Sequence, residues 1–545
     1  MNSVVLVILD GFGIAPAGPG NAISLANAET INSLLHLYPN TRLSASGEAV
    51  GLPKNEVGST EVGHLNIGAG RIVYQSLPRI NQSVADGSFY KNEAFNGAIS
   101  HVSQTGGNIH LIGLIGSGTV HASIEHLYAL LYFFKEKKFN RVNINVITDG
   151  RDSSPRSAKI YLENLESKIK EMGIGKIVSI MGRYYAMDRD RRWSRVEKAY
   201  RCLTEGVGRK AVSWREAIDL SYAEEKTDEF IEPTNLVDDS GSSLGLIKKG
   251  DAVIFFNYRI DRPRELTKAF VLPSFESDAN LVSYDPYATK YEGTHIIQKT
   301  VFDQPFTRGK KIEDLYFVTM TEYERNLPTI VAFPPHIIHM PLGRVLSQRQ
   351  MPQLRMAESE KERFVTFYFN GLRETNFPYE DRIIIPSPKV ATYDLMPEMS
   401  AVELTSSLIK KIYEDKYRFI LVNYANPDMV AHTGSLTAAK SAIKTIDSQL
   451  KLLIDTILKT NYTLFITADH GNIEEMIDAK TGQASTEHSG NPVPFYVINN
   501  RFKGNSSVLQ SGMLADIAPT ILSFLHVPIP SDMTGRNLLE EIHSY

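Results

Sequence analysis

Cysteine is almost missing from this chain: Cys202 is the single one in 545 residues. One thiol excludes an intramolecular disulfide framework and fits a reducing compartment, so a cytoplasmic location is expected. Long hydrophobic runs are missing too, since nothing approaches the ~18 consecutive apolar residues of a membrane helix. The short apolar segment from Val4 to Leu9 lacks a basic flank and runs straight into Asp10, unlike a secretory leader. Neither sign of charge dominates, with 58 Lys and Arg against 62 Asp and Glu and a net charge of −4. That balance argues against a general polyanion-binding face, and so against nucleic acid as a partner, while leaving room for local basic clusters. Internal repeats, low-complexity segments and coiled-coil heptads are likewise absent. What remains, 42% hydrophobic and 22% charged, reads as an ordinary globular chain of enzyme size. At roughly 150 residues per domain, two to four units fit.

Several short, continuous, β-branched apolar runs stop at a polar, chemically capable residue. Ser3 to Leu9 ends at Asp10-Gly11-Phe12-Gly13, the pattern of a strand buried on both faces in a parallel sheet. Tyr462 to Thr467 ends at Ala468-Asp469-His470-Gly471-Asn472, and Phe419 to Tyr424 ends at Ala425-Asn426-Pro427-Asp428. Pro427 suits a first helical position, which puts Asp428 and His432, four residues apart, on one helix face. Glu487-His488 precedes a further strand, 493–498, and Leu315 to Met320 and Phe364 to Phe369 also read as strands, with Lys361 just before the latter. Ligands of open α/β sheets bind beyond the carboxyl ends of the strands.

Between these outer segments the alternation of strands and helices starts afresh. Four strands end at His121, at Arg151-Asp152, at Arg183 followed by Arg189, and at Arg259 followed by Arg262. In a parallel sheet these side chains converge on one rim, where five planar arginine forks describe a pocket for a small dianion or trianion. The alternative is pairing with the neighbouring Asp188, Asp190 and Asp261 on a solvated face.

The glycine-rich stretch 57–71 starts a helix behind Gly58, where Thr60 can cap and Gly63, Gly68 and Gly70 allow close backbone approach. Free amides at such a turn suit phosphate. Asp10, Asp428, His432, Asp469, His470 and His488 together make three carboxylates and three imidazoles, a set for two divalent ions. Mixed oxygen and nitrogen ligation favours Mn²⁺ or Zn²⁺ over Mg²⁺ or Ca²⁺. Such a pair can clamp a phosphoryl group and activate the Thr60 hydroxyl as a nucleophile.

The motifs Leu9-Asp10-Gly11-Phe12-Gly13, Glu61-Val62-Gly63-His64-Leu65-Asn66-Ile67-Gly68-Ala69-Gly70-Arg71, Asp149-Gly150-Arg151-Asp152, Gly182-Arg183-Tyr184-Tyr185-Ala186-Met187-Asp188-Arg189-Asp190 and Thr467-Ala468-Asp469-His470-Gly471-Asn472 recur in this order. With the segments 423–434 and 491–495, they resemble the cofactor-independent (2,3-bisphosphoglycerate-independent) phosphoglycerate mutases of the alkaline phosphatase superfamily, end to end. The resemblance implies an α/β fold with a phosphatase-like, metal-binding domain split over residues 1–75 and 313–545. A second α/β domain, a substrate-binding transferase domain, is inserted at 76–312. It implies an isomerase of glycolysis and gluconeogenesis, interconverting 3-phosphoglycerate and 2-phosphoglycerate through a phosphorylated enzyme hydroxyl. One metal, most simply Mn²⁺ with Zn²⁺ or Co²⁺ as alternatives, would sit on Asp428, His432 and His488, and the other on Asp10, Asp469, His470 and Thr60. His121, Arg151, Asp152, Arg183, Arg189, Arg259, Arg262 and Lys361 would hold the phosphoglycerate, with Asp152 as proton shuttle, His121 beside it, and Lys361 stabilising the transferred group. The partner is thus a small molecule, not a membrane, and family precedent is a monomer.

The chain departs from that family in one telling place. Where the family has Gly-Asn-Ser-Glu-Val-Gly-His, this chain has Gly58-Ser59-Thr60-Glu61-Val62-Gly63-His64. Threonine keeps the hydroxyl, but its β-branch fixes χ1. Loss of the amide at Ser59 removes a donor of a class worth up to ~3–4 kcal/mol in the transition state. Glu487 replaces a small residue before His488, and residues 272–300, with 375–382 to a lesser degree, look like additions. Two other readings stay open: a metal-dependent phosphatase or phosphonate-type hydrolase, and a catalytically impaired paralogue kept for binding.

Overall fold

The structure is a computed structural model in which residues 2–281, 303–335, 337–478, 481–540 and 542 are described. The chain divides into two compact units, Met1–Pro78 with His336–Tyr545, and Arg79–Pro335. The first unit opens with β1 (Ser3–Leu9) and β2 (Asn40–Ser44). The second carries β3 (Ile109–Ile115), β4 (Val142–Thr148), β5 (Lys176–Gly182), β6 (Arg209–Ala211), β7 (Thr234–Leu236), β8 (Ala252–Phe255), β9 (Tyr316–Thr321) and β10 (Ile330–Phe333). The chain then completes the first with β11 (Gln353–Glu358), β12 (Glu380–Ile385), β13 (Phe419–Tyr424), β14 (Tyr462–Thr467), β15 (Val493–Ile498) and β16 (Gly512–Met513). Among the described residues, no helix is long and apolar enough to cross a membrane.

The sheet of the first unit runs β12-β11-β13-β1-β14-β15-β2-β16. Its strands from β12 to β14 are parallel, and β15 joins antiparallel. Every residue of β1, β13 and β14 is buried, as continuous apolar runs require when helices cover both faces. The 22-residue helix Leu436–Ile457 buries Ala439, Ile443, Ile446, Leu450, Leu453 and Ile457, a stripe at three- and four-residue spacing. Burying each such branched aliphatic side chain stabilises by about 1.5–3 kcal/mol. Register does the rest: Ile8 lies opposite Asn423 on one side and Thr467 on the other. The next few residues of the three strands, Asp10, Asp428 and the Asp469-His470 pair, therefore leave the sheet at one edge.

The helix Thr60–Ala69 has nine of its ten residues buried, all but Glu61. Gly63 permits this, because a Cβ there would sit 2.5 Å from the Asp469 carbonyl oxygen. Ser59, not Thr60, is its N-cap, its side chain accepting from the Val62 amide at 3.4 Å. The expected Thr60 cap is thus displaced by one residue, since Ser59 holds the extended backbone that a cap needs.

The second unit's sheet runs β10-β9-β8-β3-β4-β5-β7-β6. It is parallel from β10 to β5, with β7 antiparallel to β5. The α/β class expected from the alternation holds in both units. The expected return to the first unit at residue 313 does not: β9 pairs with β8, and β10 with β9, so the return comes at His336. A buried apolar run fits any parallel sheet, and its pattern does not say which one it joins.

Two more expectations need correcting. Phe364–Tyr368 is a π-helical turn rather than a strand, with the Phe369 amide donating to the Phe364 carbonyl at 3.1 Å. Its rings pack along the helix, Phe364 stacking on Tyr368 at 5.6 Å, and a short aromatic run buried all round has no periodicity to separate the two states. The true strand is β11, and Lys361 closes the turn Ser359–Lys361 directly after it. Part of 375–382 is no appendage, for β12 pairs with β11 along its length. Of the segment 272–300, residues 282–300 lie outside the described residues.

Candidate active site and metal centre

Two imidazoles and a carboxylate meet at the carboxyl edge of the first sheet. His432 Nε2 lies 3.1 Å from Asp428 Oδ1, His488 Nε2 lies 3.4 Å from the same oxygen, and the two Nε2 atoms are 3.1 Å apart. Asp428 and His432 share the turn that Pro427 begins. His432 Nδ1 faces the Thr486 carbonyl and His488 Nδ1 the Gly58 carbonyl, each at 2.8 Å. A carbonyl only accepts, so each ring donates from Nδ1 and turns its Nε2 inward. Inward lone pairs beside a carboxylate are a donor set for a cation.

Next to this group lies a second one. Thr60 Oγ1 is 3.0 Å from His470 Nε2 and 3.2 Å from Asp10 Oδ1, and His470 Nε2 is 3.5 Å from Asp10 and 3.7 Å from Asp469. The donor atoms of Asp10, Asp469 and His470 lie within 4.8 Å of one another, as do those of Asp428, His470 and His488. His470 therefore belongs to both groups, and its ring stacks on His488 at 3.9 Å. Asp469 is fully buried and its Oδ2 faces only imidazole nitrogens, His64 Nδ1 at 3.2 Å and His470 Nε2 at 3.7 Å; a buried carboxylate needs positive charge beside it. The residues present fit two divalent ions.

Lys361 Nζ bridges the two groups, 2.7 Å from Asp10 Oδ1, 2.7 Å from Asp428 Oδ2 and 3.3 Å from Thr60 Oγ1. Burial disfavours its charge, but Asp10, Asp428 and Asp469 reverse this and raise its pKa well above the lysine range. Burial likewise works against the charge on Asp428, yet Lys361 and the surrounding imidazoles hold its carboxyl well below the usual range. His470, buried too, is pushed up to about 10 by Asp469, Asp10 and Asp428. The site is an acidic nest that stabilises positive charge in any form.

Asn423, the one amide in β13, donates Nδ2 to Asp10 Oδ2 at 2.7 Å and lies 3.1 Å from His64 Nε2. His64 Nδ1 in turn approaches the Thr60 carbonyl at 2.9 Å and Asp469 Oδ2 at 3.2 Å. Asn472 Nδ2 donates to Asp428 Oδ1 at 2.9 Å. None of these three was singled out from the sequence as a site residue. A polar residue in an otherwise apolar strand was the available signal for Asn423.

In the second unit, Arg151, Arg183, Arg189 and Arg262 line one open cleft, with Tyr184, Met187, Asp188, Asp190, Arg192, Arg195 and Glu229. Arg183 is buried, and its Nη1 donates to both Asp149 Oδ1 at 2.6 Å and Asp152 Oδ2 at 2.5 Å. Arg262 donates to the Met187 carbonyl at 3.2 Å, and its Nε is buried without a partner. Arg151 is half exposed, 3.7 Å from Glu229. Arg189 and Arg259 both pair with Asp261, at 2.8 and 3.0 Å, so for these two the expected alternative of ordinary ion pairing is what the structure contains. His121 is buried, 3.7 Å from Asp152 and 3.8 Å from Asp261. Burial and then Arg183 push its pKa down to about 4, which keeps it neutral at pH 7. Asp152 stays ionised: Arg183 outweighs its partial burial and lowers its pKa. Asp149, Tyr184, Arg192, Arg195 and Glu229 were not among the expected site residues.

A family profile described as the BPG-independent PGAM N-terminus (iPGM_N) matches residues 80–325, inside the second unit. A 2,3-bisphosphoglycerate-independent phosphoglycerate mutase of Chloroflexus aggregans is 48% identical over 538 residues, covering 98% of both chains. That of Moorella thermoacetica is 47% identical over 536 residues with the same coverage. The chain belongs to this mutase family. A solved structure of Leishmania mexicana phosphoglycerate mutase at low cobalt concentration is 26% identical, with a TM-score of 0.56, covering 98% of this chain and 97% of that one. Within the mutase family, whose members are isomerases, the departure at residues 59 and 60 now has a geometry. Ser59 is engaged with the helix backbone, and the hydroxyl that faces the acidic nest is that of Thr60.

Proposed function

We propose that this chain interconverts 3-phosphoglycerate and 2-phosphoglycerate, with Thr60 Oγ1 as the temporary carrier of the phosphoryl group. The observation that carries the reading is a single buried hydroxyl set among Asp10, His470 and Lys361. Asp428, His432 and His488 would hold one divalent ion, and Asp10, Asp469, His470 and Thr60 the other, Mn²⁺ being the best match to mixed oxygen and nitrogen donors. Bound there, the ions would lower the pKa of the Thr60 hydroxyl and neutralise charge on the phosphoryl oxygens.

The chain's own residues account for the rest. Thr60 gives up its proton and forms the new O–P bond while the bond between phosphorus and the substrate's C3 oxygen breaks. Lys361, fixed as a cation, lies beside the hydroxyl and stabilises the transferred group. Arg151, Arg183, Arg189, Arg259 and Arg262 supply planar donors for the substrate's anionic groups. Asp152, ionised at rest, would take up the proton released as Thr60 is phosphorylated and, now a neutral acid, give it to the freed C3 oxygen. It would then take the C2 hydroxyl proton, which returns to Thr60 as the phosphoryl group leaves, with neutral His121 beside it as relay. The C2 hydroxyl then loses its proton and takes the phosphoryl group back from Thr60. On this reading the protein acts on a small molecule, as a monomer in the cytoplasm, where its one buried thiol stays reduced.

The test is to supply Mn²⁺ and 3-phosphoglycerate without 2,3-bisphosphoglycerate and follow 2-phosphoglycerate. Isomerisation is expected. Metal-loaded protein that makes no 2-phosphoglycerate would overturn the reading, and inorganic phosphate released faster than product would favour a hydrolase instead.

A further inference from the structure

We infer that Glu474 is a positioning residue that holds the two cation-binding groups in register, an inference resting on the reading that those groups bind divalent ions. Glu474 is buried, and among the described residues it forms no ion pair and no hydrogen bond to a proposed ligand. Its carboxylate accepts four hydrogen bonds instead. Oε2 takes the Gly13 and Asn472 amides, both at 2.9 Å, and Oε1 takes the Ser489 hydroxyl and, at 3.0 Å, the Asn491 side-chain amide.

Those four donors lie on three separate loops, each carrying proposed ligands. Gly13 follows Asp10, Asn472 follows Asp469 and His470, and Ser489 follows His488. Asp428, the remaining carboxylate ligand, is reached as well, because Asn472, fixed through its backbone, donates Nδ2 to Asp428 Oδ1. Gly13 has no side chain for a plain reason: a Cβ there would overlap the Glu474 carboxylate. An ionised carboxylate offers about four lone-pair sites, which match four donors. A glutamine of the same shape has one acceptor oxygen; if that oxygen keeps the Gly13 and Asn472 amides, its N–H groups face the Ser489 hydroxyl, which can turn and accept, and the Asn491 amide, whose Nδ2 is held by Glu475 Oε2 at 2.9 Å. The neutral isostere therefore loses the Asn491 bond, and with it part of the hold on the loop that carries His488.

The experiment uses full-length protein, Mn²⁺ as the probe, and electron paramagnetic resonance with titration. Wild type is expected to take two Mn²⁺ whose spins couple. Glu474→Gln should bind the metal 10–100-fold more weakly and show the six-line spectrum of isolated Mn²⁺, the size of effect seen when groups behind metal ligands are lost. The Mn²⁺ needed for half-maximal activity should rise by the same factor, and Glu474→Asp, which keeps the acceptors, should restore part of the coupling. If Glu474→Gln does not fold, Asn491→Ala, which removes one of the four donors, is expected to weaken binding in the same direction. Two coupled Mn²⁺ bound with wild-type affinity in Glu474→Gln, or in Asn491→Ala where that variant must serve, would overturn the inference. Wild type that binds no Mn²⁺ would overturn the underlying reading, and this inference with it.

Discussion

Thr60 Oγ1 lies 3.0 Å from His470 Nε2, while the hydroxyl of its neighbour Ser59 accepts from the Val62 amide. Adjacent residues at a helix start point apart, so the two hydroxyls have different fates and should be separable by mutation. Thr60→Ala is expected to abolish both isomerisation and label transfer from substrate to protein, and Thr60→Ser to retain both. Ser59→Ala should cost about 0.5–2 kcal/mol of stability as a lost cap and leave the labelled position unchanged. Mapping the phosphorylated residue after a substrate pulse decides this, and label on Ser59 would reverse the assignment.

Lys361 supplies a second test through charge. It is buried between Asp10 and Asp428, and removing one partner of such a buried set typically costs 3–5 kcal/mol. Lys361→Met should therefore lower the thermal midpoint of metal-free protein sharply. Added Mn²⁺ compensates the same carboxylates, so the metal-induced rise in midpoint should be larger in the variant than in wild type. Activity should stay at least about 100-fold down even with metal present, because the cation beside the transferred group is gone. Equal metal-induced shifts in both proteins would show that Lys361 and the metal do not share the carboxylates.

Much of this site is legible in the sequence, and the reason is local. Asp10, Asp428, Asp469 and His470 each follow an apolar run buried on both faces, and parallel register alone then brings them to one edge. The bridge from Arg183 to Asp149 and Asp152 joins the ends of β4 and β5, which are neighbours for the same reason. What failed was membership and state. The run that became β9 has the pattern of a strand of either sheet, and Phe364 to Phe369 is apolar on every side. Support was the other blind spot. His64, Asn423 and Glu474 act through hydrogen bonds spanning tens to hundreds of residues, and nothing in their own neighbourhoods announces the partner.

Arg183 joins two carboxylates of unequal exposure, Asp149 being buried and Asp152 about a quarter exposed. Arg183→Met should strand Asp149 as an unpaired buried charge, at roughly 3–5 kcal/mol in stability. Arg183→Lys keeps a positive charge but not the planar fork, so stability should suffer less while kcat/KM falls at least about 10-fold. Adding Asp149→Asn to Arg183→Met should recover much of the lost stability and none of the activity. A double variant that regains activity would remove Arg183 from the substrate's binding set.

Glu265 predicts a pH dependence of stability. Its carboxyl accepts the Arg191 amide at 2.8 Å, on the loop that carries Arg189 and Arg192 into the cleft, and its other oxygen is buried without a partner. Burial, and then the facing Asp188 carboxylate with Asp190 beyond it, push its pKa from 4.5 up to about 8. Below pH 4.5 the group is protonated in folded and unfolded chains alike, and burial as a neutral acid costs little. Between about 4.5 and 8 only the folded chain keeps the proton, so this group's contribution to stability declines as pH rises through that window. Glu265→Gln is neutral at every pH and still offers an oxygen to the Arg191 amide. Unfolding free energies from urea titrations at pH 5 and pH 8 should thus shift in favour of the variant by roughly 3–4 kcal/mol, at about 1.36 kcal/mol per pH unit across the window. A difference between variant and wild type that does not change with pH would mean that Glu265 is ionised in the folded protein, with the loop held by some other balance of charge.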